Sequence, residues 1–173
     1  MSPRLRFPAS KISHFASRYE YASDDAILKL RPTVSRRGYL LKNELFQVAR
    51  WKAPRNQNRV LRNSEDDIKE ITRFALRTTS ERARVESLLI LFGVAWPMAS
   101  VILHFFHEER YPILDFRALW SIQVEVPSYH RFESWFGYVS YCRDLANKNG
   151  VDMRTLDKAL WQYSLENQKA GSR

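Results

Sequence analysis

The sequence predicts an all-α protein, and three observations carry the prediction. Apolar residues recur with helical rather than alternating periodicity through most of the chain. Only 5 Gly and 7 Pro interrupt its 173 residues, so the punctuation that many short strands would need is missing. A composition that is 45% hydrophobic and 13% aromatic supplies a core for one domain of this length. The expected organisation is a flexible basic arm over residues 1–10 and a single helical domain over residues 11–173. No apolar stretch reaches the roughly eighteen residues of a membrane span, and the start of the chain lacks a secretory pattern. The expectation is therefore a soluble, cytoplasmic monomer that engages no membrane.

Taken in order, Ser10 to about Tyr21 reads as a short helix. Ser23-Asp24-Asp25 caps a further run through Leu30, which ends before Pro32. Residues 33–37 are basic and polar and read as a loop. Gly38 to Lys52 is an amphipathic helix with Leu41, Leu45, Val48 and Trp51 on one face, and it stops before Pro54. Residues 53–62 form a polar, basic connection. Asn63-Ser64-Glu65-Asp66-Asp67 starts a helix that runs to about Arg77, because carboxylates near an N-terminus meet the positive end of the helix dipole.

Thr79-Ser80-Glu81 starts the next helix, with Val85, Leu88, Leu89 and Phe92 facing inward. A tight turn follows at Phe92–Ala95, where Gly93 accepts the left-handed conformation that ends a helix. Pro97 then lies in the first turn of a second apolar helix, Trp96 to Phe106, where its missing N–H is not needed. Residues 79–106 thus form a helical hairpin whose turn and helix N-terminus offer amides to an anion such as phosphate. Asp115 to Ile122 is a short helix or turn, Val124–Tyr129 is extended, and helices span about 130–147 and 152–167.

The charge is unevenly spread. Residues 1–60 hold 13 Lys/Arg against 4 Asp/Glu, and residues 61–173 hold 15 of each, so the whole net charge of +9 lies in the first third. A one-sided basic surplus points to a polyanionic partner and salt-sensitive binding. His104, His107, Glu108 and Glu109 match no metal-ligand spacing, no nucleotide loop or zinc-finger pattern is present, and neither metal nor cofactor is expected. The single cysteine, Cys142, excludes an internal disulfide.

Leu91-Phe92-Gly93-Val94-Ala95-Trp96-Pro97-Met98-Ala99, followed by Tyr111-Pro112-Ile113-Leu114-Asp115, resembles the helix-hairpin-helix DNA glycosylase superfamily. That superfamily includes endonuclease III, the adenine glycosylases and 8-oxoguanine glycosylase. Its hairpin reads roughly Leu-Pro-Gly-Val-Gly-x-x-x-Ala, and its aspartate follows a little over twenty residues after the first glycine. The spacing from Gly93 to Asp115 fits. Three positions depart: Phe92 and Ala95 replace the family's first proline and second glycine, and Pro97 stands where the bifunctional members carry a lysine nucleophile. Proline forms no Schiff base, so the resemblance is to the monofunctional branch. With one cysteine the chain has no four-cysteine iron–sulfur cluster of the kind several relatives carry.

The resemblance implies double-stranded DNA as partner. Contacts would come from Phe92, Gly93, Val94, Ala95, Trp96 and Met98 of the hairpin and from Lys52 and Arg55. It also implies an extruded base held by aromatic walls, with Tyr39 and Trp51 as candidates. Asp115 is the candidate catalytic carboxylate, able to stabilise a cation-like sugar or assist a water; its plainer reading is a helix N-cap, and the two are compatible. Glu44, in Lys42-Asn43-Glu44-Leu45-Phe46-Gln47, loosely resembles the glutamate that protonates the departing base in adenine glycosylases. Its plainer reading is a solvated helix glutamate, and Glu125 or Glu133 are alternatives. The implied activity is hydrolysis of an N-glycosidic bond. The rivals are a non-catalytic DNA-binding module with the same fold and a basic helical protein that binds RNA or protein.

Overall fold

A computed structural model describes residues 3–21 and 23–169 of the chain. After a 3-10 turn at Ala9–Lys11, its helices are α1 (Ile12–Ala16), α2 (Asp25–Leu28), α3 (Arg31–Arg37), α4 (Lys42–Lys52), α5 (Glu65–Arg77), α6 (Glu81–Leu88), α7 (Trp96–Phe106), α8 (Phe116–Ser121), α9 (Phe132–Lys148) and α10 (Met153–Asn167), with a longer 3-10 helix at Pro54–Arg62. No strand occurs among the described residues, and the protein is all-α. No helix among them is long and apolar enough to cross a membrane.

The helices fall into two compact units. The central unit lies within Ala22–Glu109 and the terminal unit within Met1–Tyr21 and Arg110–Arg173. In the central unit α7 is the axis: Met98, Ala99, Ser100, Val101, Ile102, Leu103, Phe105 and Phe106 are all buried, and α3, α4 and α6 pack around it. A helix apolar on every side finds its place only at the middle of a core. In the terminal unit α10 is packed by α1, α8 and α9. Trp135 of α9 is fully buried there and stacks on Tyr111 with ring centroids 5.8 Å apart.

Several segments differ from their sequence reading, each for a local reason. Residues 33–37 are helical rather than a loop, because Pro32 sits in the first turn of α3 instead of merely ending α2. Val34 is fully buried on that helix. Gly38, at φ +80°, caps α3 by donating its N–H to the Val34 carbonyl at 2.7 Å. It therefore ends one helix rather than starting the next, and α4 begins at Lys42. Residues 54–62 are a 3-10 helix where a connection was expected.

Of residues 1–10, expected as a flexible arm, 1 and 2 lie outside the described residues, and 3–8 are tied to the terminal unit. The N–H groups of Arg4 and Arg6 donate to the carbonyls of Ile122 and Ser121, both at 2.9 Å. Phe7 is buried between Phe15 and Tyr163, at centroid distances of 4.9 and 4.6 Å. One apolar ring with aromatic partners orders a stretch that charge and proline content alone leave free.

Arg84 ties the back of the central unit together. Its buried guanidinium donates from Nη1 to the Ala75 carbonyl at 2.9 Å and from Nη2 to the Thr78 carbonyl, and Nη1 lies 2.5 Å from Nε2 of buried His107. The His107 Nδ1 accepts the N–H of Glu109 at 2.9 Å. Burial first, and the Arg84 charge second, hold the His107 imidazole below its ordinary value of 6.5. The folded state then binds fewer protons than the unfolded one, so this contribution is fully present above pH 6.5 and fades as pH falls through the lowered value. His130 in the terminal unit is lowered by burial with the same sign. The thermal midpoint should therefore fall between about pH 7.5 and 5, and His107→Gln should flatten part of that fall. Parallel wild-type and variant profiles in a calorimetric pH series would contradict this account.

Candidate nucleic-acid interface and carboxylate site

Helices α6 and α7 are joined by residues 89–95. Ser80 caps α6 by accepting the Ala83 N–H at 3.3 Å, and Ala95 precedes α7 in extended conformation. Within the link the Val94 N–H donates to the Leu91 carbonyl at 3.1 Å, and Gly93 has φ +80°. The turn therefore carries its left-handed residue at its third position, the geometry that favours glycine.

The 3-10 helix 54–62 is built against this turn. A Cβ on Gly93 would lie 3.0 Å from Arg59 Cβ, from Val60 Cγ1 and from the Val60 backbone nitrogen. Asn63, buried just beyond that helix, grips the apex: its Oδ1 accepts the Phe92 N–H at 2.8 Å, and its Nδ2 donates to the carbonyls of Phe92 and Val60 at 3.0 and 2.8 Å. The Arg62 guanidinium stands over the Phe92 ring at 4.3 Å. Residues 50–62 contain Arg50, Lys52, Arg55, Arg59 and Arg62 and no acidic residue. Five cations thus lie on a stretch whose end, from Arg59 to Arg62, packs against the turn.

The expected contact residues divide by exposure. Phe92 and Ala95 are exposed, Gly93 and Trp96 half-buried, and the side chains of Val94 and Met98 buried. Phe92 was expected to face inward with Val85 and Leu88. It faces solvent because α6 ends at Leu88 and the chain turns, so helical spacing no longer applies to position 92. Arg55 is exposed and Lys52 half-buried. Arg62 and Asn63, which no sequence motif marks, also contact the turn through Phe92. Asn63 heads the run Asn-Ser-Glu-Asp-Asp, which reads as a helix start; that cap is Ser64, whose Oγ accepts the Asp67 N–H at 3.0 Å.

The aromatic candidates are built into the central unit. Two guanidiniums, those of Arg73 and Arg37, stand over the Tyr39 ring at 4.4 and 4.9 Å. The Trp51 indole N–H donates to the Ser23 carbonyl at 3.1 Å, and its ring meets Phe105 edge-on at 5.4 Å. Glu44 is buried rather than solvated. Its Oε2 accepts the Leu41 N–H at 2.7 Å and an N–H of Arg37, whose own Nε and Nη2 donate to the Tyr39 carbonyl at 3.1 and 3.0 Å. Its carboxylate holds the start of α4 and the loop before it.

Asp115 belongs to the terminal unit, where it caps α8: its Oδ1 accepts the Arg117 N–H at 3.0 Å. The segment leading to it is clamped two residues earlier. Asp157, buried on α10, accepts the Ile113 N–H at 3.1 Å, and the buried Tyr138 hydroxyl donates to the Ile113 carbonyl at 2.9 Å. Burial, then neighbouring Cys142 and Asp157, hold the Tyr138 hydroxyl well above its ordinary value, so it stays a donor. Burial and Asp157 likewise raise the Cys142 thiol. Tyr111, Pro112, Ile113 and Leu114 are buried and Asp115 is half-buried. The carboxylate thus emerges from a fixed backbone. Glu125 and Glu133 are exposed. Among the described residues no three His, Cys, Asp or Glu side chains gather to hold a metal ion.

No family model, no curated protein and no solved structure matches the chain.

Gly93→Ala should test the turn. The left-handed conformation costs a non-glycine residue about 1–2 kcal/mol, and the Cβ would press on backbone as well as side chains. Unfolding in urea should show a loss of at least that size, and a smaller one would mean that the turn relaxes freely.

Proposed function

We propose that this protein binds DNA through the α6–α7 turn and the basic segment 50–62, as a helix-hairpin-helix protein of the DNA glycosylase type. The observation that carries the reading is the packing of Arg59 and Val60 on Gly93, beside Asn63 holding Phe92. Arg59 and Arg62 are thereby held at the turn, on a stretch that also carries Arg50, Lys52 and Arg55. A polyanion meets them without any ordering of the chain, and release of its counterions makes the affinity fall with salt.

The chemistry in this reading is monofunctional. Water attacks C1′ of an extruded nucleotide, the C1′–N bond breaks, the hydroxyl stays on the sugar and a proton goes to the departing base. Asp115 would hold its negative charge beside the cation-like sugar or accept the water's proton. Its half-buried position, on a segment fixed by Asp157 and Tyr138, suits a group that must not move as charge develops. With Pro97 at the start of α7, no lysine amine is available at that place to cleave the strand.

A second reading, a DNA-binding module without turnover, is favoured by Glu44. Its engagement with Arg37 and the Leu41 N–H leaves it occupied at a helix start instead of poised to protonate a base.

A panel of duplexes, each with one damaged, mismatched or modified base and each treated with hot alkali, separates the two. The glycosylase reading expects cleavage after alkali with wild type, reduced at least about a hundredfold in Asp115→Asn. No product on any duplex, with salt-sensitive binding kept by both proteins, selects the module. On the binding side, Arg59→Ala should lower the slope of log affinity against log salt by about one. An unchanged slope would remove Arg59 from the interface.

A further inference from the structure

A turn that only cradles phosphate needs its amides and little else, and this one spends two of them internally. The Phe92 N–H goes to Asn63 and the Val94 N–H to Leu91. At the apex the turn presents side chains: Phe92 is 52% exposed and Ile90 71% exposed. Phe92 does not hang from a loose loop. Its N–H and its carbonyl are both bound by the same buried amide, and Gly93 beside it is packed against Arg59 and Val60. Arg62 covers the ring at 4.3 Å and places a positive charge against it. A fixed, exposed ring with the Arg62 guanidinium over it and Arg59 packed beside the next residue is matched by a ligand that offers a flat π-face next to phosphates.

The geometry points to Phe92, backed by Arg62, as a stacking wedge for a base whose face is open, so that the turn selects DNA with an interrupted base stack. This rests on the DNA-binding reading and deepens it. In an intact duplex each base is covered above and below and shows only its edges in the grooves. At an abasic position, a gap or an unpaired nucleotide a face becomes available, and an aromatic ring occupies it whatever the base, since every base has a π-face. Fixing the ring through the backbone clamp removes the ordering loss that a flexible loop would incur on binding. Asn63 is a positioning residue in this scheme, because it holds the Phe92 backbone and leaves the ring for the ligand.

The test compares an intact duplex with the same duplex carrying one tetrahydrofuran abasic analogue flanked by 2-aminopurine, read by anisotropy and by 2-aminopurine fluorescence. Wild type should bind the interrupted duplex about tenfold more tightly than the intact one and quench the 2-aminopurine. Phe92→Ala should bring the affinity ratio close to one and abolish the quench, whereas Phe92→Trp should keep both. Thermal unfolding of each variant checks that the turn still folds. A preference retained by Phe92→Ala, or intact-duplex binding by wild type without any preference, would overturn the wedge and leave the DNA-binding reading standing. No binding to either duplex at low salt would overturn both.

Discussion

The central unit depends on the need to cover most of helix α7. Eight of its eleven residues are buried, and a helix apolar all round is stable in water only when neighbours enclose it. Helices α3, α4 and α6 supply that cover. Because α6 must lie against α7 and is joined to it by residues 89–95, the chain has to reverse tightly, and Gly93 supplies the left-handed residue that the reversal needs. The exposed turn is therefore a by-product of core formation: burying α7 places residues 89–95 at the surface.

The segments around the turn are fixed by buried polar groups as well as by apolar contact. Asn63 pairs with three backbone groups at one end, and Arg84 with the Ala75 and Thr78 carbonyls and His107 at the other. Buried polar side chains are favourable only when their bonds are made, so each of these defines one backbone arrangement. Asp157 and Tyr138 do the same for Ile113 in the terminal unit, bonding its N–H and its carbonyl from two different helices. Both candidate sites thus stand on backbone held by side chains distant in sequence. That suits binding and electrostatic stabilisation, where groups must be in place before the ligand arrives.

What the sequence by itself determined was the helical class and the landmarks of the hairpin. The start of α7 at Trp96 with Pro97 in its first turn, its end at Phe106, the Ser80 start of α6 and the Asp115 cap follow from local rules of periodicity, capping and proline placement. Such rules act within a few residues, so they can be read without a fold. Tertiary structure decided which of those residues face whom. Helical spacing put Phe92 inside, and the turn puts it outside. Glu44 reads as a solvated glutamate or an acid, and Arg37, half-buried seven positions away, pairs with it as it lies buried. Asn63 reads as part of a helix start, and the apex of a turn 29 positions later in the chain captures its side chain. The arm became ordered through Phe7, whose partner Tyr163 lies near the other end of the chain. For Asn63 and Phe7 the deciding partner is far along the sequence. Its approach depends on how the helices pack, which no window of local sequence contains.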